Sequence, residues 1–130
     1  MRFLVGLLLG AVIGGLLAMT LANALQRRNA WPRALMNVMQ HELGGARSAV
    51  KGGTCVSSAL QQASAHLTLL AEDLEPALLE PGSKDRVLSQ YAAEFRKVVS
   101  AWNPAMACAL QAEALTVIAN ACEACHRDYR

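Results

Sequence analysis

The chain ends in NACEACHRDYR, where Cys122, Cys125 and His126 form a C-x-x-C-H. Two thiols at that spacing, with an imidazole beside the second, suit three chemistries. Each thiol can form a thioether with one of the two vinyl groups of a porphyrin, leaving the histidine to reach the iron. The pair can instead work as a redox dithiol, or supply part of a zinc site of about four ligands. A redox pair of the thioredoxin kind expects a βαβ context, and the sequence holds none. Zinc would have to draw on Cys55, Cys108, His41 and His66, none of which sits in a C-x-x-C or H-x-x-x-H pair. Covalent haem is the best-matched chemistry, standing against an accidental cysteine pair in an alanine-rich helix.

The elements that must position these residues read as helix after helix, without period-2 alternation. Asn29 is a plausible N-cap for a first helix, with Pro32 in its opening turn. That helix runs through Leu35, Met36, Met39, Leu43 and Val50 to a stop at Gly52-Gly53. Thr54 caps a second, whose Val56, Leu60, Ala63, Leu67, Leu70 and Leu74 step by fours and threes. EPALLEPGS breaks the pattern, and Ser83 caps a third helix with Val87, Tyr91, Phe95, Val98 and Trp102 on one face. Asn103-Pro104 restarts the chain as cap and first helical position. The fourth helix runs through Leu110, Val117, Ile118 and Ala121 into the C-x-x-C-H. The expectation is an all-α protein, an up-down-up-down four-helix bundle spanning residues 26–130.

Ahead of the bundle lies a different kind of segment. Apolar residues make up 54% of the chain and charged residues 17%, and the excess is concentrated near the N-terminus. Phe3 to Leu25 is an uncharged run of 23 residues, about 34 Å as a helix against a bilayer core of about 30 Å. Residues 1–25 therefore read as a transmembrane anchor or a signal helix. Ala22-Asn23-Ala24 has the small-x-small form of a cleavage site, while the run is longer than an ordinary signal core. Arg2 precedes the run and Arg27, Arg28 and Arg33 follow it, a charge bias that by the positive-inside rule favours a cytoplasmic bundle. Export makes bare thiols an oxidation liability, which favours their use in haem attachment. Beyond the anchor no basic run or aromatic-basic interleaving points to nucleic acid.

Haem at the extreme C-terminus of a four-helix bundle, with the ending Cys122, Cys125, His126, Tyr129 and Arg130, resembles the class II c-type cytochromes, the cytochrome c′ group and its low-spin relatives. The resemblance covers about residues 29 to 130. PRALMNVMQHELGGARSAVKGG matches the family's first helix more weakly than the C-terminal motif matches its fourth. It implies one covalently attached haem c and an exported C-terminus, since bacteria attach this haem outside the cytoplasmic membrane. It places Met36 in the slot facing the distal side of the haem. Arg33 stands near the family's first-helix arginine, at a spacing of three where the family usually has four. Members often dimerise.

Helix geometry points to Met36 independently. In this topology the first helix starts at the end where the fourth finishes; at 1.5 Å per residue Met36 lies about 10 Å from that end and His126 about 6 Å. They can face one haem from opposite sides. Met39 is a turn deeper, and His41 lies off the core stripe. His126 and Met36 as axial ligands would saturate the iron and leave an outer-sphere electron carrier. An open sixth position would instead bind NO or CO. Arg130 and Arg33 fit the haem propionates, because guanidinium matches carboxylate in a fork. His66 reads as a surface histidine. Cys55 and Cys108 fall at the bundle end away from the haem and form a disulfide candidate across helices that are diagonal in a simple bundle.

The sequence thus reads as a periplasmic, membrane-tethered or secreted electron carrier, not an enzyme, passing electrons between redox proteins that are themselves membrane-associated. From another class, the alternative is a haem-free helical interaction module held at the membrane.

Overall fold

The structure, a computed structural model, describes the backbone of residues 2–28, 30–55 and 57–129, and their side chains outside 2–5 and 25–28. Asn29, Val56 and Arg130, each assigned a role above, lie outside the described residues, as does the side chain of Leu25. The protein is all-α. Its helices are α1 (Arg2–Arg28), α2 (Ala30–Lys51), α3 (Ser58–Glu72), α4 (Leu74–Leu78), α5 (Arg86–Ala101) and α6 (Cys108–Asp128).

The chain divides into two units, Met1–Arg33 and Ala34–Arg130. The first is dominated by α1. Its Gly6–Ala24 stretch has 19 residues of mean hydropathy 2.0, all exposed. That is long and apolar enough to cross a membrane, as a signal or an anchor would.

The second unit is a helical bundle whose faces follow from heptad-like spacing. α2 buries Leu35, Met39, Ala46 and Val50; α3 buries Leu60, Ala63, Leu67 and Ala71; α5 buries Leu88, Ala92, Phe95 and Val99. α6 buries Gln111, Leu115 and Ile118. Leu60 and Ile118 are 0% exposed, and truncating such a side chain to alanine costs about 2–5 kcal/mol. His66 lies at the surface as expected, its side chain 42% exposed. Its Nδ1 is hydrogen-bonded to Glu42 Oε1 at 2.8 Å, tying α3 to α2.

Several helix ends and faces differ from expectation, each for a local reason. Gly53, at φ +83°, stops α2 as expected, but the Thr54 amide then donates back to the Ala49 carbonyl at 2.9 Å. Thr54 thus finishes one helix instead of starting the next. The cap of α3 is Ser57, whose hydroxyl accepts from the Leu60 amide. Ser83 closes a turn onto Glu80 with both its amide and its hydroxyl, so the cap of α5 passes to Asp85. EPALLEPGS is only partly a break, because Leu74–Leu78 form α4, where Glu75 holds Ser89 and Arg96 of α5. Asn103-Pro104 starts a turn, with Asn103 Oδ1 accepting from Ala105 N at 2.9 Å, and α6 begins only at Cys108.

On α5 and α6 the buried stripe is offset from the expected one. Val87, Leu110 and Val117 are 46%, 54% and 45% exposed, whereas Leu88, Gln111 and Leu115 are buried. Each exposed residue has a buried neighbour in sequence or lies within two of one. A shift of one residue turns a helix position by about 100°, enough to carry a side chain from the core to its edge.

Candidate functional site

The α6 stripe does not end at Ile118. Gln111, Leu115, Ile118, Cys122 and Cys125 continue the same alternation of fours and threes, so both thiols of the C-x-x-C lie on the face that packs the core. At that end of the bundle the core is hollow. A cavity of about 350 Å³, within the range of about 300–1,000 Å³ usual for small-molecule sites, is lined by residues from α2 to α6. Cys122, Cys125 and His126 meet Met36 and Met39 of α2 there. Leu67, Leu74, Leu78, Leu88 and Phe95 supply apolar wall. The start of α2, the end of α3 with α4, the start of α5 and the end of α6 therefore share one end, the up-down-up-down order.

Both thiols are free and half-buried. Burial, reinforced by the neighbouring Cys125, pushes the Cys122 thiol up to about 11. Burial, then the Asp128 carboxylate, raises Cys125 as well. Reactive dithiols of redox proteins have depressed thiol pKa values, and this pair is held protonated in an apolar setting. Zinc fares no better. Cys55 and Cys108 are consumed in a disulfide with Cα atoms 5.1 Å apart, His66 is paired with Glu42, and His41 is exposed. Among the described residues no three His, Cys, Asp or Glu side chains gather as a metal cluster.

For a porphyrin attached through both thiols the residues fit. Two thiols one helical turn apart face one apolar cavity, the next residue supplies an imidazole at its rim, and a thioether stands on another wall. Met36 is half-buried, while Met39 is packed into the core. Arg33 is exposed and belongs to the unit Met1–Arg33, and Arg130 is outside the described residues.

The disulfide closes the opposite end. Cys55 is not in the first turn of α3 but in the loop before it, and that loop reaches across to the first residue of α6, which resolves the diagonal placement of the two helices. Beside it sits Gln111, fully buried. Its Nε2 donates to the carbonyls of Cys55, Pro104 and Met106, and its Oε1 accepts from Trp102 Nε1 at 3.3 Å. The Pro104 and Met106 carbonyls lie in the non-helical stretch 103–107 that precedes α6. Gln111 was missed in the sequence, where its only signal is a polar residue at a stripe position.

Also unforeseen is a set of contacts beside the C-x-x-C-H. Tyr91 Oη donates to Asp128 Oδ2 at 2.6 Å, and Tyr129 Oη donates to Asp85 Oδ2 at 2.7 Å. The two rings meet edge to face with centroids 6.2 Å apart. The bond to Asp85 pushes the Tyr129 phenol up to about 12, and the same hydroxyl, with the Leu88 amide next, holds the Asp85 carboxyl below its ordinary value. The chain matches no protein-family model, no curated protein and no solved structure.

Proposed function

We propose that residues 34–130 form a monohaem c-type cytochrome domain that carries single electrons. The observation that supports it best is the continuation of the α6 core stripe into Cys122 and Cys125, at a cavity that Met36 and His126 also line. Cys122 and Cys125 would hold the haem by thioethers, with His126 and Met36 as its axial ligands. Bound there, the group supplies a one-electron iron centre whose potential follows its ligands and its burial. The leucines and Phe95 would keep water from the macrocycle. Arg130 is the proposed propionate partner.

The location that goes with this function is the periplasmic side of the inner membrane, with α1 either retained as a tether or removed after export. A retained tether confines the domain to the membrane surface, so its donor and acceptor are membrane-associated redox proteins. A homodimer is in keeping with the resemblance.

The test is a denaturing gel stained for covalent haem, using the full chain made in cells that mature c-type cytochromes. Staining with a low-spin optical spectrum is expected. A stained band with a high-spin, CO-responsive spectrum would transfer the proposal to gas binding, and an unstained band would leave the haem-free interaction module.

A further inference from the structure

The last turn of α6 carries Cys125 and His126, and a helix end is where backbone order is weakest, because its final carbonyls lack partners. Here that end is tied down twice. Tyr91, in the second turn of α5, donates to Asp128 at 2.6 Å. Tyr129 donates to Asp85, the residue whose other carboxylate oxygen caps α5 through the amides of Val87 and Leu88 at 2.9 and 3.1 Å. Each helix thus contributes one tyrosine and one aspartate, and the exchange is braced by the edge-to-face ring contact. Asp128 is two residues beyond His126, and Tyr91 itself lines the cavity.

We infer that this reciprocal tyrosine–aspartate clamp positions the His126 imidazole, making Tyr91, Asp128, Tyr129 and Asp85 positioning residues for the cofactor site. The inference rests on the haem reading for its functional consequence, but not for its structural one. Without the clamp the last turn of α6 frays. The thioether at Cys122 still forms, because that residue lies a turn further in and packs against the core, but the imidazole is no longer held in one orientation.

The test compares Tyr91→Phe and Tyr129→Phe with the parent in the full chain. Phenylalanine keeps the ring and its packing and removes only the donor, and the disulfide and Gln111 hold the far end of the bundle untouched. Amide hydrogen exchange over residues 125–129 is expected to quicken about tenfold in either variant, with residues 111–118 unchanged. Haem staining is retained, while the spectrum shows a mixed spin state and the reduction potential moves. Asp128→Asn, which keeps an acceptor for Tyr91, stays close to the parent, whereas Asp128→Ala behaves like Tyr91→Phe. Parent-like exchange in both tyrosine variants overturns the clamp. Faster exchange with an unchanged spectrum and potential overturns the positioning of His126. A parent chain that never stains for haem refutes the functional reading alone, since the exchange comparison still decides the clamp.

Discussion

Gln111 Nε2 donates to the carbonyl oxygen of Cys55, 56 residues earlier in the chain. One amide thereby holds the loop before α3 against the turn before α6, with Trp102 donating to its other end. Replacing Gln111 with Leu would fill the same space but strand the Trp102 N–H and the buried carbonyl. A loss of about 1–3 kcal/mol is expected. Urea unfolding measures it as a lower midpoint at unchanged slope, and an equal midpoint would mean the network contributes nothing.

The disulfide beside it closes a stretch of 53 residues, for which loop entropy gives about 4 kcal/mol. Changing both Cys55 and Cys108 to Ala should lower the unfolding free energy by about 2–4 kcal/mol. Haem staining should persist, because the cavity lies at the opposite end of the bundle. A double variant as stable as the parent would show that the bridge does not form in the cell.

At the cavity end, Met36→Ala should leave haem attached and turn the iron high-spin. Met39→Ala should stay low-spin and lose stability instead, by about 2–5 kcal/mol for a buried methionine. The optical spectra of the two variants exchange these outcomes if Met39 is the ligand.

Asp85 gives a pH dependence with a definite sign. Its carboxyl is depressed in the folded chain, chiefly by the Tyr129 hydroxyl and then by the Leu88 amide. A depressed acid stabilises above its unfolded value and loses that contribution as pH falls through its folded value. Tyr129, raised to about 12, stabilises fully below the ordinary tyrosine value of about 10 and loses its contribution as pH rises through its folded value. The gap in melting temperature between the parent and Asp85→Ala should therefore be widest between about pH 4 and pH 10 and close on both sides. A gap independent of pH would place its origin elsewhere.

Much of the fold was legible because apolar spacing is a local signal. The α3 stripe of Leu60, Ala63 and Leu67 and the glycine stop of α2 needed no partner to be read. Where two neighbouring residues are both apolar, as with Val87 and Leu88, spacing does not choose between them; the facing helices do. Helix starts failed for a related reason. Thr54, Ser83 and Asn103 are good caps, but each was claimed by a turn that packing favoured.

The candidate site divides along the same line. The proposed roles of Cys122, Cys125 and His126 rest on their types and spacing, because two thiols and an imidazole within about one helix turn are a local feature of the sequence. The identity of α1 as a membrane-length apolar helix was equally contained in composition. That Met36 shares an end with those thiols, and that Cys55 is a candidate to meet Cys108, followed in outline from the expected helix order; the Cα separation of 5.1 Å, reached through the loop before α3, was decided by the packing of helices far apart in the chain. The Tyr91–Asp128 and Tyr129–Asp85 exchanges were beyond any sequence reading, because a hydrogen bond between surface side chains leaves no periodicity. Only the tertiary structure, by bringing the start of α5 to the end of α6, put each donor within reach of its acceptor.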